Sequence, residues 1–311
     1  MLRCYKGTRK RLGQPHHKTQ WPKLHSQPSL GLTKQYPEPD TTTDCKLTRS
    51  VYPYIDPNQY VIPQAFKGKV VLVTGASRGI GQETALQYAR AGASLDAILK
   101  EVPGAEIVTF TADVKDPIKA EEAVKVATNR FGRLDVVIAN AGVATSFDNA
   151  LVAKNPSDWW DTLEVNVRGV YNYLRAATPA ILETKGSIIV ITSAMAHLRI
   201  PHSSDYSISK FTLGRLVEFA ALEYPELRIF AIHPGLIQTA LAQGAGILNS
   251  TLPVDTPALP AATILALSAG KAEWLRGRYW SSNWDLGEGE SKWKEKTLKQ
   301  NGLVNKLFIP V

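Results

Sequence analysis

The stretch Thr74-Gly75-Ala76-Ser77-Arg78-Gly79-Ile80-Gly81 most narrows what this chain can become. It follows a short β-branched run at 70–74 and opens an apolar-periodic segment at about 80–91, stopped by Gly92. Such a run reads as a fully buried strand and the segment after it as a helix. Glycines at 75, 79 and 81 let the backbone turn tightly and leave room for a ligand to lie close. The helix N-terminus adds oriented N–H donors, which suits an anion such as a pyrophosphate. An ordinary tight turn needs neither three glycines nor the strand–loop–helix setting.

The same alternation continues. Strands are predicted at 106–112, 134–139, 187–192, 228–233 and 278–281, and helices at 116–131, 156–177, 206–224 and 261–269. Strands alternating with helices at this spacing mean an α/β chain with a parallel sheet covered on both faces. The 311 residues suit one large core better than two. Residues 69–311 read as a single domain and 51–68 as a turn-rich lead-in with Pro53, Pro57 and Pro63. Residues 1–50 read as a disordered basic leader.

Charge separates leader from body. The net charge of +8 invites a nucleic-acid partner, yet 1–49 hold ten Lys/Arg against three acids, which leaves the body at +1. A near-neutral body shows no footprint for a polyanion, so none is expected. Both cysteines, Cys4 and Cys45, lie in the leader. The body therefore has no disulfide framework or thiolate metal site, and a reducing, cytoplasmic setting is expected. No metal is expected from the six histidines, whose spacing matches no ligand motif. No apolar run reaches membrane-spanning length. A mitochondrial targeting role for the leader is the lesser reading, since Pro15, Pro22 and Pro28 break the helix it would need.

Four stretches in order resemble the classical short-chain dehydrogenase/reductase family. Thr74–Gly81 resembles its TGxxxGxG signature. Ala139-Asn140-Ala141-Gly142 resembles its NNAG stretch, with Ala139 where Asn is usual. Tyr206-Ser207-Ile208-Ser209-Lys210 is similar to its YxxxK motif, and Pro234-Gly235, with Thr239 beyond, to its PG motif. The resemblance spans about 69–285, and the closing Arg276–Tyr279 and Asn283–Asp285 stretches resemble fungal members in particular. It implies a Rossmann-type doubly wound sheet and an oxidoreductase that moves a hydride between a nicotinamide dinucleotide and a small-molecule ketone, aldehyde or alcohol. It also implies a homodimer or homotetramer. The flap at 236–252 is rich in Ala, Leu and Ile, which favours an apolar substrate.

Tyr206 and Lys210 are four apart on a predicted helix and share one face. A free phenol titrates near ~10, and a nearby ammonium is expected to lower that value. Tyr206 can then act as the general acid or base. The resemblance adds that Lys210 holds the nicotinamide ribose. It also makes Ser193 the hydroxyl on the substrate oxygen and Asn166 the residue that keeps a water in the proton relay. Cofactor contacts are implied at Gly75, Ser77, Arg78, Gly79, Ile80, Gly81, Asp113, Asn140, Ala141, Gly142, Tyr206, Lys210, Pro234, Gly235 and Thr239, with Asp113 at the adenine. His197 and His202, in the loop before Tyr206, read as neighbours of the site rather than members. Trp159 and Trp160 read as packing or subunit-contact residues.

The chain departs from the family pattern after Gly92. Only 38 residues separate Gly75 from Asp113, roughly a dozen fewer than the family's βαβαβ unit uses. Residues 96–102 have helical composition. The usual second strand is therefore expected to be missing, with 106–112 pairing directly with 70–74; a strand at 94–99 is the alternative. Glu101, where a ribose-reading acid would fall, then lies in a helix. Arg78 is the remaining clue to selectivity, and a cation there favours NADP(H) over NAD(H). A chain lacking that strand could also be a catalytically impaired member of the family.

Overall fold

The computed structural model describes residues 47–96, 106–247 and 254–307. Among them runs one parallel sheet of seven strands: β1 (Val70–Val73), β2 (Ser94–Asp96), β3 (Ile107–Val108), β4 (Val136–Ala139), β5 (Ser187–Ile191), β6 (Arg228–His233) and β7 (Tyr279–Ser281). Their spatial order is β3-β2-β1-β4-β5-β6-β7. The helices that matter below are α1 (Asn58–Val61), α2 (Gly79–Arg90), α3 (Pro117–Phe131), α4 (Pro156–Leu163), α5 (Gly169–Thr184), α6 (Ser204–Glu223), α7 (Ala240–Gly244) and α8 (Ala258–Ser268). The expected α/β, Rossmann-type class holds.

Period-two alternation divides each central strand between two cores. Val71, Val73, Ile138 and Ile189 pack with Tyr88 of α2 and Ile264 of α8. Val70, Leu72, Val137 and Ile188 pack on the other face with Val124 of α3, Tyr173 of α5 and Leu213 of α6. Strands covered on both faces have no solvent side, so their sequences run apolar without interruption.

The second strand is present, against expectation. Ser94, Leu95 and Asp96 pair with Val70, Val71 and Leu72, and Ile107 and Val108 pair with Leu95 and Asp96 rather than with β1. Either arrangement covers the β1 edge, whose buried N–H and C=O groups would otherwise cost roughly 1–3 kcal/mol each, so that cost does not choose between them. The helical preference that argued otherwise amounts to a few tenths of a kcal/mol per residue. That is too little to keep Ser94–Asp96 out of the sheet. With β2 so short, only two residues of the expected 106–112 strand find partners. Residues 97–105, including Glu101 and most of the expected helix, lie outside the described residues.

Two further corrections concern the N-terminal side. The lead-in is part of the core: Ile55, Tyr60 and Phe66 join the first cluster. Phe66 sits edge-on to Tyr88 at 5.0 Å. The last residues of the expected leader are also bonded to the body. Thr48 N donates to Asn283 O at 2.7 Å, and Thr256 N to Arg49 O at 3.0 Å. Composition could not reveal this, because the contacts are backbone bonds to segments more than two hundred residues away. Residues 1–46, with both cysteines and any targeting signal, lie outside the described residues.

The helix expected at 156–177 is broken by a π-wound segment, Glu164–Arg168, and continues as α5. Gly169 opens α5 where a Cβ would meet Val114 Cγ2 at 2.7 Å.

If the lead-in belongs to the core, Ile55→Ala should lower the unfolding free energy by about 2–4 kcal/mol in denaturant titration. A loss below about 0.5 kcal/mol, the size of a surface effect, would show that 51–68 only decorates the fold.

Candidate functional site

The site lies at the carboxyl ends of the strands, where parallel sheets gather their ligands. The Gly loop leaves β1 there. Gly75 and Gly79 take the left-handed conformation, at φ 65° and 61°. Gly81 is fixed by a close approach instead: a Cβ on it would lie 2.4 Å from Gly75 O and 2.5 Å from Asn140 Nδ2. Thr74 Oγ1 accepts from the backbone N–H groups of Asn140 and Ala141, each at 3.0 Å. Asn140 Nδ2 donates back to Thr74 O at 2.9 Å and Gly75 O at 3.2 Å. These bonds lock the loop after β1 to the loop after β4.

The loop fits a dinucleotide's pyrophosphate. Helix α2 begins with no side-chain cap and no acidic residue in its first turn, so its first N–H groups are open to an anion. Ser77 and Arg78 are exposed beside them and Ile80 is half-buried. Thr239 Cγ2 lies 3.3 Å from where a Gly79 Cβ would be, which brings the start of the flap against the loop. Thr239 Oγ1 also caps α7 through Ala242 N. Pro234 and Gly235 follow β6. Gly235, at φ 95°, has no room for a Cβ, which would meet Asp255 Oδ2 at 2.6 Å. That carboxylate accepts from Leu236 N at 2.7 Å and braces the flap's base. Asp113 stands apart from this group, exposed at the turn before α3, where its Oδ1 accepts from Lys115 N.

The structure brings Asn166, Ser193, Tyr206 and Lys210 together with Gly142. A Cβ on Gly142 would lie 3.1 Å from Asn166 Oδ1 and 3.4 Å from Lys210 Nζ. Tyr206 and Lys210 face inward from the first turns of α6 and are both buried. Lys210 Nζ donates to Ile191 O, at the end of β5, at 2.9 Å. It lies 5.6 Å from the centre of the Tyr206 ring. Thr192 Oγ1 donates to Lys210 O at 2.8 Å, so strand end and helix hold each other. Burial drives the Lys210 ammonium down to about 8.

Tyr206 differs from expectation. Its pKa is raised by burial, with a hydrogen bond to Ser193 opposing the rise. The expected lowering by Lys210 is absent: burial sets the direction, and Ser193 is the group that opposes it. Ser193 ends the strand region with its Oγ also accepting from Met195 N at 3.2 Å.

Asn166 lies within the π-wound segment, a form often found where helices carry function. Its Oδ1 accepts from Val143 N at 2.8 Å, and its Nδ2 donates to Val143 O and Ser209 Oγ, each at 2.9 Å. The side chain is thus committed to protein partners, and any water contact belongs to its backbone.

His197 packs edge-on against Tyr279 at 4.6 Å, and His202 Nδ1 lies 3.1 Å from Phe147 O. A cavity of about 460 Å³ opens on the outward face of α6, between Leu151, Arg199, Ile208 and Phe211. It includes none of the catalytic candidates. Trp159 Nε1 donates to Ser204 Oγ at 3.1 Å, and Trp160 stacks on it while remaining exposed. Among the described residues, no group of three or more His, Cys, Asp or Glu could hold a metal ion. No described helix is long and apolar enough to cross a membrane.

Sequence reasoning missed Phe147, Lys154, Asp205 and Asp255. Asp205 could be found as an acid directly before Tyr206, although an acid in a first helical turn ordinarily complements the helix dipole. The other three carry no local signal.

Comparison with known proteins agrees with this geometry. Residues 69–246 match the family described as short chain dehydrogenase. A Monascus purpureus protein, Short chain dehydrogenase mpl6, is 37% identical over 78% of this chain and 89% of that protein. The crystal structure of levodione reductase superposes with a TM-score of 0.64 at 26% identity, over 73% of this chain and 99% of that one. Carveol dehydrogenase from Mycobacterium avium, in complex with NAD, gives 0.62 at 24% identity, over 69% of this chain and 96% of that one, and shares the fold. The chain belongs to the short-chain dehydrogenase family, with fungal proteins among its relatives, and is an NAD(P)-dependent oxidoreductase.

Proposed function

We propose that the protein is an NADP(H)-dependent oxidoreductase that interconverts an apolar ketone or aldehyde and its alcohol, with Asn166, Ser193, Tyr206 and Lys210 as its catalytic group. The observation that carries this reading is a buried phenol, hydrogen-bonded to Ser193 and flanked by the buried Lys210 cation. The bound nicotinamide supplies the hydride. Ser193 Oγ holds the carbonyl oxygen, and Tyr206 gives it a proton as negative charge develops there. A phenol kept neutral by burial suits donation, which supports carbonyl reduction at neutral pH. Lys210, which donates to Ile191 O, would hold the nicotinamide ribose. The π-wound turn around Asn166 supports the water that returns a proton to Tyr206.

Gly75, Ser77, Gly79, Ile80 and Gly81 cradle the pyrophosphate. Asn140, Ala141 and Gly142 line the ribose side, Asp113 the adenine side, and Pro234, Gly235 and Thr239 the nicotinamide end. Arg78, exposed at the start of α2, takes a 2′-phosphate; NAD(H) lacks that group. The premise of an impaired protein, a missing second strand, no longer holds. The levodione reductase likeness and the apolar flap support a carbonyl substrate of apolar character. Exposed Tyr171, Phe211 and Phe219 on α5 and α6 support pairing of two copies through these helices. A cytoplasmic setting rests on composition alone.

Tyr206→Phe should leave NADPH binding within about twofold and lower kcat for ketone reduction by about three orders of magnitude or more. Near-normal kcat would remove Tyr206 from the chemistry. Arg78→Ala should weaken NADPH by about 1–3 kcal/mol and leave NADH nearly unchanged, read by cofactor fluorescence. Equal losses for the two would show that Arg78 does not select.

A further inference from the structure

The loop after β4 carries a buried ion pair that the chemistry above leaves without a role. Lys154 Nζ lies 2.9 Å from Asp205 Oδ1, with side chains 4% and 0% exposed. Thr145 Oγ1 donates to Asp205 Oδ2 at 2.6 Å and accepts from Lys154 Nζ at 2.7 Å. Thr162 Oγ1, from α4, reaches the same carboxylate oxygen at 3.3 Å. Asp205 directly precedes Tyr206 at the start of α6. The network therefore ties the loop after β4 and α4 to the turn that carries the phenol.

Taking two charges out of water costs several kcal/mol, so a buried pair is a poor source of stability. What it can do well is exclude other arrangements of the chain. Lys154 Nζ also donates to Ser146 O at 3.3 Å, next to Phe147, whose ring centre lies 6.2 Å from that of Tyr206 at an angle of 47°. Lys154 Nζ sits 5.9 Å from the Phe147 ring centre. Phe147 N donates to Ala245 O, just past α7, at 3.1 Å. Its carbonyl lies 3.1 Å from His202 Nδ1. One aromatic residue thus joins the loop after β4, the loop before α6 and the flap, beside the phenol.

We propose that Lys154 and Asp205 are positioning residues that hold Phe147 as an aromatic wall beside Tyr206, and that Phe147 sets which carbonyl compounds reach the phenol. The proposal rests on Tyr206 being the acid/base. An aromatic wall next to the proton donor favours flat or singly cyclic apolar ketones and excludes fused or branched ones.

The test pairs amide hydrogen exchange with reduction of a graded ketone series, cyclopentanone to decalone. In Asp205→Asn, exchange at residues 143–154 should rise by about tenfold or more while α3 keeps its protection. In the same variant kcat should fall, with the NADPH Kd within about twofold of wild type. Lys154→Arg, which keeps the charge, should retain most of the activity that Lys154→Met loses. Phe147→Ala should raise the kcat/KM ratio of decalone to cyclopentanone by about tenfold or more. Unchanged exchange at 143–154, exchange rising equally everywhere, or a ratio within about twofold of wild type would overturn the proposal. Retained turnover in Tyr206→Phe would instead overturn the acid/base reading, and the exchange data would still decide the clamp.

Discussion

Lys210 Nζ on the carbonyl of Ile191 is the contact around which the rest of the site is arranged. A buried ammonium needs an acceptor, and a strand interior has none to spare because its carbonyls bond to neighbouring strands. The carbonyl comes from the last residue of β5, where the ladder is ending. Helix α6 must then cross that strand end, which sets Tyr206 one turn earlier beside Ser193. A Cβ on Gly142 would press on Asn166 Oδ1 at 3.1 Å and touch Lys210 Nζ at 3.4 Å, so a side chain there would have to shift Asn166.

Polar contacts extend this arrangement along the sheet's carboxyl edge. Thr74 and Asn140 join the Gly loop to the loop after β4. Asn166 and Ser209 join that loop to the π-wound segment and α6. Asp255 braces the flap where it leaves β6. All but the Asn166–Ser209 bond use a backbone N–H or C=O, so bonds that satisfy the chain also align the site. Burial has a second effect: it keeps the Tyr206 phenol neutral and brings the lysine within reach of deprotonation at mildly alkaline pH.

The strands and helices that carry the site were legible because both signals are local. Buried strands at 70–73 and 187–191 announce themselves as apolar runs, and Tyr206 and Lys210 announce themselves by helical spacing. The second strand was not legible. Ser94, Leu95 and Asp96 have no strand composition and become a strand through backbone pairing with β1 on one side and β3 on the other. The lead-in misled for a similar reason: prolines marked it as loop, while Ile55 and Phe66 bury themselves against α2 and α8. The Lys154–Asp205 pair lies beyond reach of any local rule, since its partners stand fifty-one residues apart. The direction of the Tyr206 shift depended on magnitude as well as proximity, and spacing alone gives no measure of burial.

The account turns on Tyr206 being a proton donor held neutral by burial. Its titration can be followed directly by NMR of the free protein carrying ¹³Cζ-labelled tyrosine, with the resonance assigned from Tyr206→Phe. The account predicts a midpoint above the ordinary phenol value of ~10, and a further rise in Ser193→Ala, where the opposing hydrogen bond is lost. A midpoint below about 9, well under the free-phenol value, would mean that the lysine overrides burial and that the phenol is no longer the neutral donor described here.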